Sequence, residues 1–304
     1  MSNTNYWEER LKQDEINQKF IEENTTSTMK QIVKNLAGTR DNLIKKILAL
    51  MEKIQSGKVT SVSDYYTYQE YYKLLLEIEK KCSKWGIDTE QELTKRFGNF
   101  YLKSFDLAGD FLKRIGAEQA TPYLYKTTGE FYRPAPDWET AMQVVNQVWV
   151  SDGKRWSERI WGEETRLATK LQQVLTDGVV GGATLSEMKE RLVKEFSVTY
   201  NSADRLVRTE YSHLLNTATM QRYQSIGIEK FIWITARNEK VCPNCKNKDG
   251  EIFLVSDPLN FPPVASHPNC CCSTIPILPG EDEKVIQERF KAKKMRKTNN
   301  MEDK

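Results

Sequence analysis

The residues with the clearest chemical potential lie in one short stretch. Of six cysteines, five fall between Cys242 and Cys272, and one of only two histidines, His267, lies among them. The order is Cys242-Pro-Asn-Cys245, then His267-Pro-Asn-Cys270-Cys271-Cys272. Two thiols three apart across a Pro-Asn turn can reach one metal ion from the same side. His267 plus one later cysteine would complete a tetrahedral zinc site, and soft sulfur donors favour zinc over magnesium or calcium. On an extended strand Cys270 and Cys272 point to one side and Cys271 to the other, which makes Cys271 the poorest fourth ligand. The expected set is Cys242, Cys245, His267 and Cys272, because His-x4-Cys leaves more room to wrap the ion, with Cys270 as the alternative.

Catalytic readings of the same residues fare less well. A zinc deaminase needs His-x-Glu before Pro-Cys-x-x-Cys, whereas here the cysteine pair comes first and Pro268-Asn269 follow the histidine. A metal-dependent nuclease wants further histidines, and only His213 remains, on an expected helix where packing or solvation explains it. Asp249 and Glu251 are close in sequence to the cysteines, but turn positions account for them. No catalytic residue and no cofactor other than a structural zinc is expected, and the chain is read as a non-enzyme.

Such a cluster needs a scaffold. Ile228–Thr235 reads as a strand and Ile252–Val255 as its partner, with Asp249-Gly250 as a turn. Prolines 258, 262, 263 and 268 then hold an extended return path to the last cysteines. A two-stranded element of this kind is marginal alone, whereas a structural zinc can supply on the order of 10 kcal/mol. The rest of the chain is helical in pattern. Ile32, Leu36, Leu43, Ile47, Met51 and Ile54 form one stripe at spacings of three, four and seven, ending at Ser56-Gly57. Further helices are expected from Asp64 to Cys82 and from about Asn99 to Gly116. After them come helices from Asp137 to Val150, from Trp156 to Thr176, from Thr184 with a capping box to Glu187, and from Ala203 to Ser225. The fold class is therefore mainly α with a small C-terminal α+β zinc-stabilised module, a β-hairpin plus an extended return segment. The divisions are a helical region 1–120, a proline- and glycine-punctuated linker 121–136, a domain 137–280, and a charged, partly disordered tail 281–304.

Composition narrows the function classes. A chain of 304 residues can form about two domains. With 45 basic against 42 acidic residues the net charge is only +3, so no global basic field advertises nucleic-acid binding. Mean hydropathy is −0.63, no apolar run reaches the roughly 20 residues of a membrane span, and the first residues do not read as a secretory signal. A reducing compartment is thus expected, where clustered cysteines bind metal more often than they form disulfides. A local basic run, Arg289, Lys291, Lys293, Lys294, Arg296 and Lys297, could touch DNA phosphates weakly, or serve as a solvated tail.

The motifs taken in order resemble the phage minor head protein family, also called Mu F-like or head-morphogenesis proteins. The likeness covers about residues 137–279. It rests on Arg208-Thr209-Glu210, Gly227, the strand around Trp233, Cys242-Pro-Asn-Cys245, Asp249-Gly250, Pro262-Pro263, His267-Pro-Asn-Cys270-x-Cys272 and Pro276, with WVSDGKRWSERIW at 149–161. One departure is Cys271, where the family usually carries arginine. The resemblance implies a minor structural protein of a tailed bacteriophage, made in the host cytoplasm and located in the virion, inside the capsid. It would associate with the portal, with scaffold or major capsid protein as further partners, and act in procapsid assembly, DNA packaging or delivery. The alternatives are a zinc-dependent hydrolase and a DNA-binding protein.

Overall fold

The computed structural model describes residues 3–56, 65–120, 136–235, 241–288 and 290. The expected linker lies outside them apart from Pro136, and so do Arg289, Lys291, Lys293, Lys294, Arg296 and Lys297. In chain order the elements are α1 (Asn3–Gln55), α2 (Tyr65–Arg114), α3 (Ala117–Ala120), α4 (Trp138–Val145), α5 (Trp156–Gly181), α6 (Leu185–Ser225), β1 (Lys230–Ile234), α7 (Pro243–Lys248), β2 (Ile252–Leu254) and β3 (Ser273–Ile277). The protein is mainly helical, with one small antiparallel sheet near the C-terminus, as its sequence pattern implies.

Two expected breaks are absent, and in both cases side-chain packing explains the continuity. The helices expected at 64–82 and 99–116 are one helix, α2, because Trp85, Leu93 and Phe97 carry its buried stripe across the interval. Gly86 and Gly98 are contact points there, not stops. A Cβ on Gly86 would meet the Trp161 ring at 3.1 Å, and one on Gly98 would run into the Trp138 ring. Each glycine costs its helix about 1 kcal/mol, which ring packing at its bare backbone offsets. Similarly, α6 runs through Ser202, with Ala203 and Val207 continuing its buried stripe. Caps are more legible. Asp137 accepts the Thr140 amide at 2.8 Å, and Thr184 exchanges hydrogen bonds with Glu187.

The chain forms two compact units, each drawing on distant segments. One comprises residues 25–96 and 148–207, a helical assembly of parts of α1, α2, α5 and α6. Its core includes Leu43, Ile47, Ile78, Trp85, Leu167 and Leu171. Around that core, Lys46 pairs with Glu77, and the Trp161 indole donates to Glu90 at 3.0 Å. Arg166 pairs with Glu195 at 2.7 Å, tying α5 to α6.

The other unit comprises residues 1–24, 97–147 and 208–304 and contains the sheet, ordered β2-β1-β3. The expected hairpin partners do pair, with Phe231 opposite Phe253. What the sequence pattern left as an extended return path becomes a third strand, β3, paired antiparallel to the other edge of β1. Pro276 within β3 is tolerated because β3 is an edge strand, with no further strand among the described residues asking for the missing N–H. Central β1 is buried on both faces. Phe231 joins Phe111, Tyr223 and Phe261 on the helix side, while Ile232 and Ile234 meet Ile275, Ile286 and Phe290 on the other. The charged tail thus contributes a helical stretch, 283–288, whose apolar side covers the sheet.

Candidate metal centre

Two turns of the same sequence, Pro-Asn-Cys, converge at the end of the sheet, each folded differently. In the first, Cys242 is the N-cap of α7, Pro243 takes the first helical position where no N–H is missed, and the Cys242 sulfur accepts from the Cys245 amide at 3.3 Å. In the second, the Cys270 amide donates to the His267 carbonyl at 3.2 Å, and Asn269 has φ 65°. Proline in the second position and left-handed asparagine in the third are the signature of a type II turn. Each turn therefore places residues i and i+3 side by side. Beside them, Lys248 at the end of α7 donates from Nζ to the Ala265 carbonyl at 2.7 Å, just before the second turn, and lies 4.9 Å from the Trp233 ring.

The donor atoms fall into two overlapping sets, Cys242 with Cys245 and His267, and Cys245 with Cys270 and Cys272. Within each set all ligand atoms lie inside 4.8 Å of one another. Cys245 belongs to both. Its sulfur is 3.6 Å from His267 Nε2 and 3.9 Å from the Cys270 sulfur. Cys245, Cys270 and Cys272 are buried against Trp233, whereas Cys271 is exposed, belongs to neither set and turns its thiol to the Asn269 carbonyl at 3.5 Å.

The chemistry of these donors fits a cation. His267 Nδ1 is 2.7 Å from the Pro268 carbonyl, which can only accept, so Nδ1 carries a proton and Nε2 is the nitrogen facing Cys245, free to bind a cation once it is deprotonated. A carbonyl holding the far nitrogen is the usual outer support of a metal-binding histidine. The thiols are also pulled apart. Burial and the neighbouring Cys270 push Cys245 up to about 12, while hydrogen bonds from Cys272, opposed by burial, bring Cys270 down to about 6. Burial pushes Cys242 up, but the Cys245 amide and His267 outweigh it and leave this thiol below its ordinary value. Crowded thiols share few negative charges in a buried site, and a divalent cation relieves that conflict by binding them as thiolates.

Two other residues singled out in the sequence have structural partners. Asp249 accepts the Thr235 amide at 2.9 Å and so closes β1. Buried His213 lies 3.5 Å from the Thr217 hydroxyl and stacks near Phe261. Sequence reasoning missed the residues that support the cysteine strand. From α6, Ser212 donates to the Cys270 carbonyl at 2.7 Å and Asn216 to the Cys272 carbonyl at 3.4 Å. From α1, Gln18 donates to the Cys271 carbonyl, and Asp14 accepts the Ser273 hydroxyl at 2.5 Å. Polar residues inside the buried stripe of α6 were the available signal.

The sequence of this region has a counterpart among known families. Residues 169–275 match the family model described as Phage Mu protein F like protein. The resemblance read from the motifs thus holds over that stretch, which takes in the C-terminal half of α5, all of α6 and every cysteine of the cluster. The match to this phage family supports a phage head morphogenesis protein. A Haemophilus influenzae protein (strain Rd), described as uncharacterized, is 28% identical over 121 residues, 38% of this chain and 26% of that protein's own length. No solved structure matches. No helix among the described residues is long and apolar enough to cross a membrane.

Proposed function

We propose that this chain is a minor structural head protein of a tailed bacteriophage. In this reading it associates with the portal inside the procapsid and acts in head assembly or in DNA packaging or delivery. The observation that carries the reading is the Mu F-like match over residues 169–275, which covers both the cysteine cluster and the helix that supports it. Residues 137–280 would be the family-like domain, preceded by a helical region 1–120, and the basic residues from Arg289 to Lys297 a weak DNA contact. The test is co-purification from infected or co-expressing cells. Portal protein should accompany the full chain into procapsids, and a phage lacking the chain should yield defective or non-infectious heads. Normal heads in its absence, with no portal association, would overturn the reading.

Within that role the cluster is proposed to hold one structural zinc through Cys242, Cys245, His267 and a further cysteine. Zinc would supply cross-linking of the two turns and no chemistry. The separations at Cys245 support this: tetrahedral zinc places two thiolates about 3.8 Å apart and a thiolate and imidazole nitrogen about 3.5 Å apart, against 3.9 and 3.6 Å here. They also favour Cys270 as the fourth ligand, with Cys272 in reserve. A structural role predicts that Asp249→Ala and Glu251→Ala leave head assembly intact. Loss of a metal-dependent hydrolysis in those variants would favour an enzyme instead.

A further inference from the structure

The turn that carries His267 and Cys270 is shaped by a helix that offers it no ligand. Asn269, between the two candidate ligands, adopts the left-handed conformation, φ 65°, which asparagine reaches more readily than other non-glycine residues. A tertiary hydrogen bond adds to the turn's own. The Asn269 amide donates to the hydroxyl oxygen of Thr209 at 2.9 Å, and Thr209 is buried in α6. Ser212 and Asn216 follow at spacings of three and four, on the same helical stripe, and take the Cys270 and Cys272 carbonyls. The stripe thus addresses the segment 269–272 at its first amide and at alternate carbonyls, while α1 takes the carbonyl of Cys271 from Gln18. Thr209 is the member nearest the turn, and it is the centre of Arg208-Thr209-Glu210, a motif to which neither the ligand set nor the fold has so far given a role.

We propose that Thr209 is a positioning residue of the metal centre. By accepting the Asn269 amide it fixes the left-handed turn, so that His267 Nε2 and the Cys270 sulfur are both presented to Cys245 before an ion arrives. The inference rests on reading the cluster as a metal site. Thr209→Val removes the acceptor and keeps the shape, while Thr209→Ser restores the acceptor; Thr209→Ala serves if the valine variant does not fold.

The experiment titrates cobalt(II) into the full, reduced, metal-stripped chain and then displaces it with zinc. Thiolate-to-cobalt absorption and the d–d bands are followed, with far-ultraviolet circular dichroism as a control on folding. Thr209→Val should bind on the order of 10- to 100-fold more weakly, as loss of an outer-shell partner does, with altered d–d bands and unchanged helicity. Thr209→Ser should bind like the unaltered chain. If the valine variant binds with unchanged affinity and spectrum, or the serine variant is as weak as the valine one, the positioning role is overturned while the metal site stands. If the unaltered reduced chain binds neither cobalt nor zinc, both readings fall together.

Discussion

Cys245 belongs to two overlapping groups of possible ligands, and that geometry makes the cysteines unequal. Its separations from His267 and Cys270, 3.6 and 3.9 Å, suit the edges of a zinc tetrahedron, while Cys272 lies within 4.8 Å of the Cys245 and Cys270 sulfurs. Replacing Cys245 with serine should therefore abolish metal binding. Cys270→Ser should weaken it and reduce the thiolate-to-cobalt absorption, Cys272→Ser should change it little, and the double variant should lose it. Equal losses from the two single variants would count against this ranking. His213 makes a second residue-scale prediction. Burial pushes its imidazole from 6.5 down to about 3. As pH falls below about 6.5 the unfolded chain takes up a proton that the folded chain refuses, so stability present above that pH is lost on acidification, by up to about 1.4 kcal/mol per pH unit. Denaturant melts of metal-loaded protein between pH 7.5 and about pH 5.5 should show a shallower decline for His213→Gln than for the unaltered chain. Cys82, apart from the cluster, is a buried helix residue whose thiol burial and nearby Glu164 push up to about 12, which keeps it an unreactive thiol.

Among the elements, the long helices test whether glycine marks a break or a contact. Gly98 meets the Trp138 ring, whereas nothing lies within 4 Å of a Cβ on Gly38 in α1. Gly98→Ala should lower stability by about 1–3 kcal/mol through overpacking, although alanine is the better helix former. Gly38→Ala should raise it by about 0.5–1 kcal/mol. Thermal melts of the two variants, moving in opposite directions, would check this. Parallel shifts would mean that propensity, not packing, governs these helices. The edge strand β3 teaches a related lesson: Pro276 argues against a central strand, and it is compatible with the strand's actual place at the sheet edge.

For the whole molecule, the metal question becomes one of which region depends on it. The sheet has three short strands, and the cysteine turns close one end of it. A structural zinc contributing on the order of 10 kcal/mol would dominate the stability of such a module. Chelation under reducing conditions should thus raise hydrogen exchange across residues 230–277, while the helical core of residues 25–96 and 148–207 keeps its protection. Full protection at 230–277 without metal would show that the apolar packing on both faces of β1 suffices.

How much of this was legible follows from which interactions are local. Helical stripes, the caps at Asp137 and Thr184, the β1–β2 pairing and the clustering of Cys242, Cys245, His267 and the last cysteines are set by neighbours in sequence, and their spacing encodes them. The continuity of α2 and α6 was hidden because Gly86, Gly98 and Ser202 carry break signals whose effect is cancelled by residues far along the chain, Trp161 and Trp138 for the two glycines. The status of 273–277 as a strand depends on β1 pairing across a long loop, and the support of Asn269 by Thr209 joins residues 60 positions apart. The sequence by itself determined which donors exist, that they are soft, and that they lie near a small sheet. Only the tertiary structure decided that Cys245 belongs to both groups of possible ligands, that Cys270 lies 3.9 Å from it, and that a helix outside the cluster hydrogen-bonds the turn, because separations and buried hydrogen bonds between distant segments have no local code.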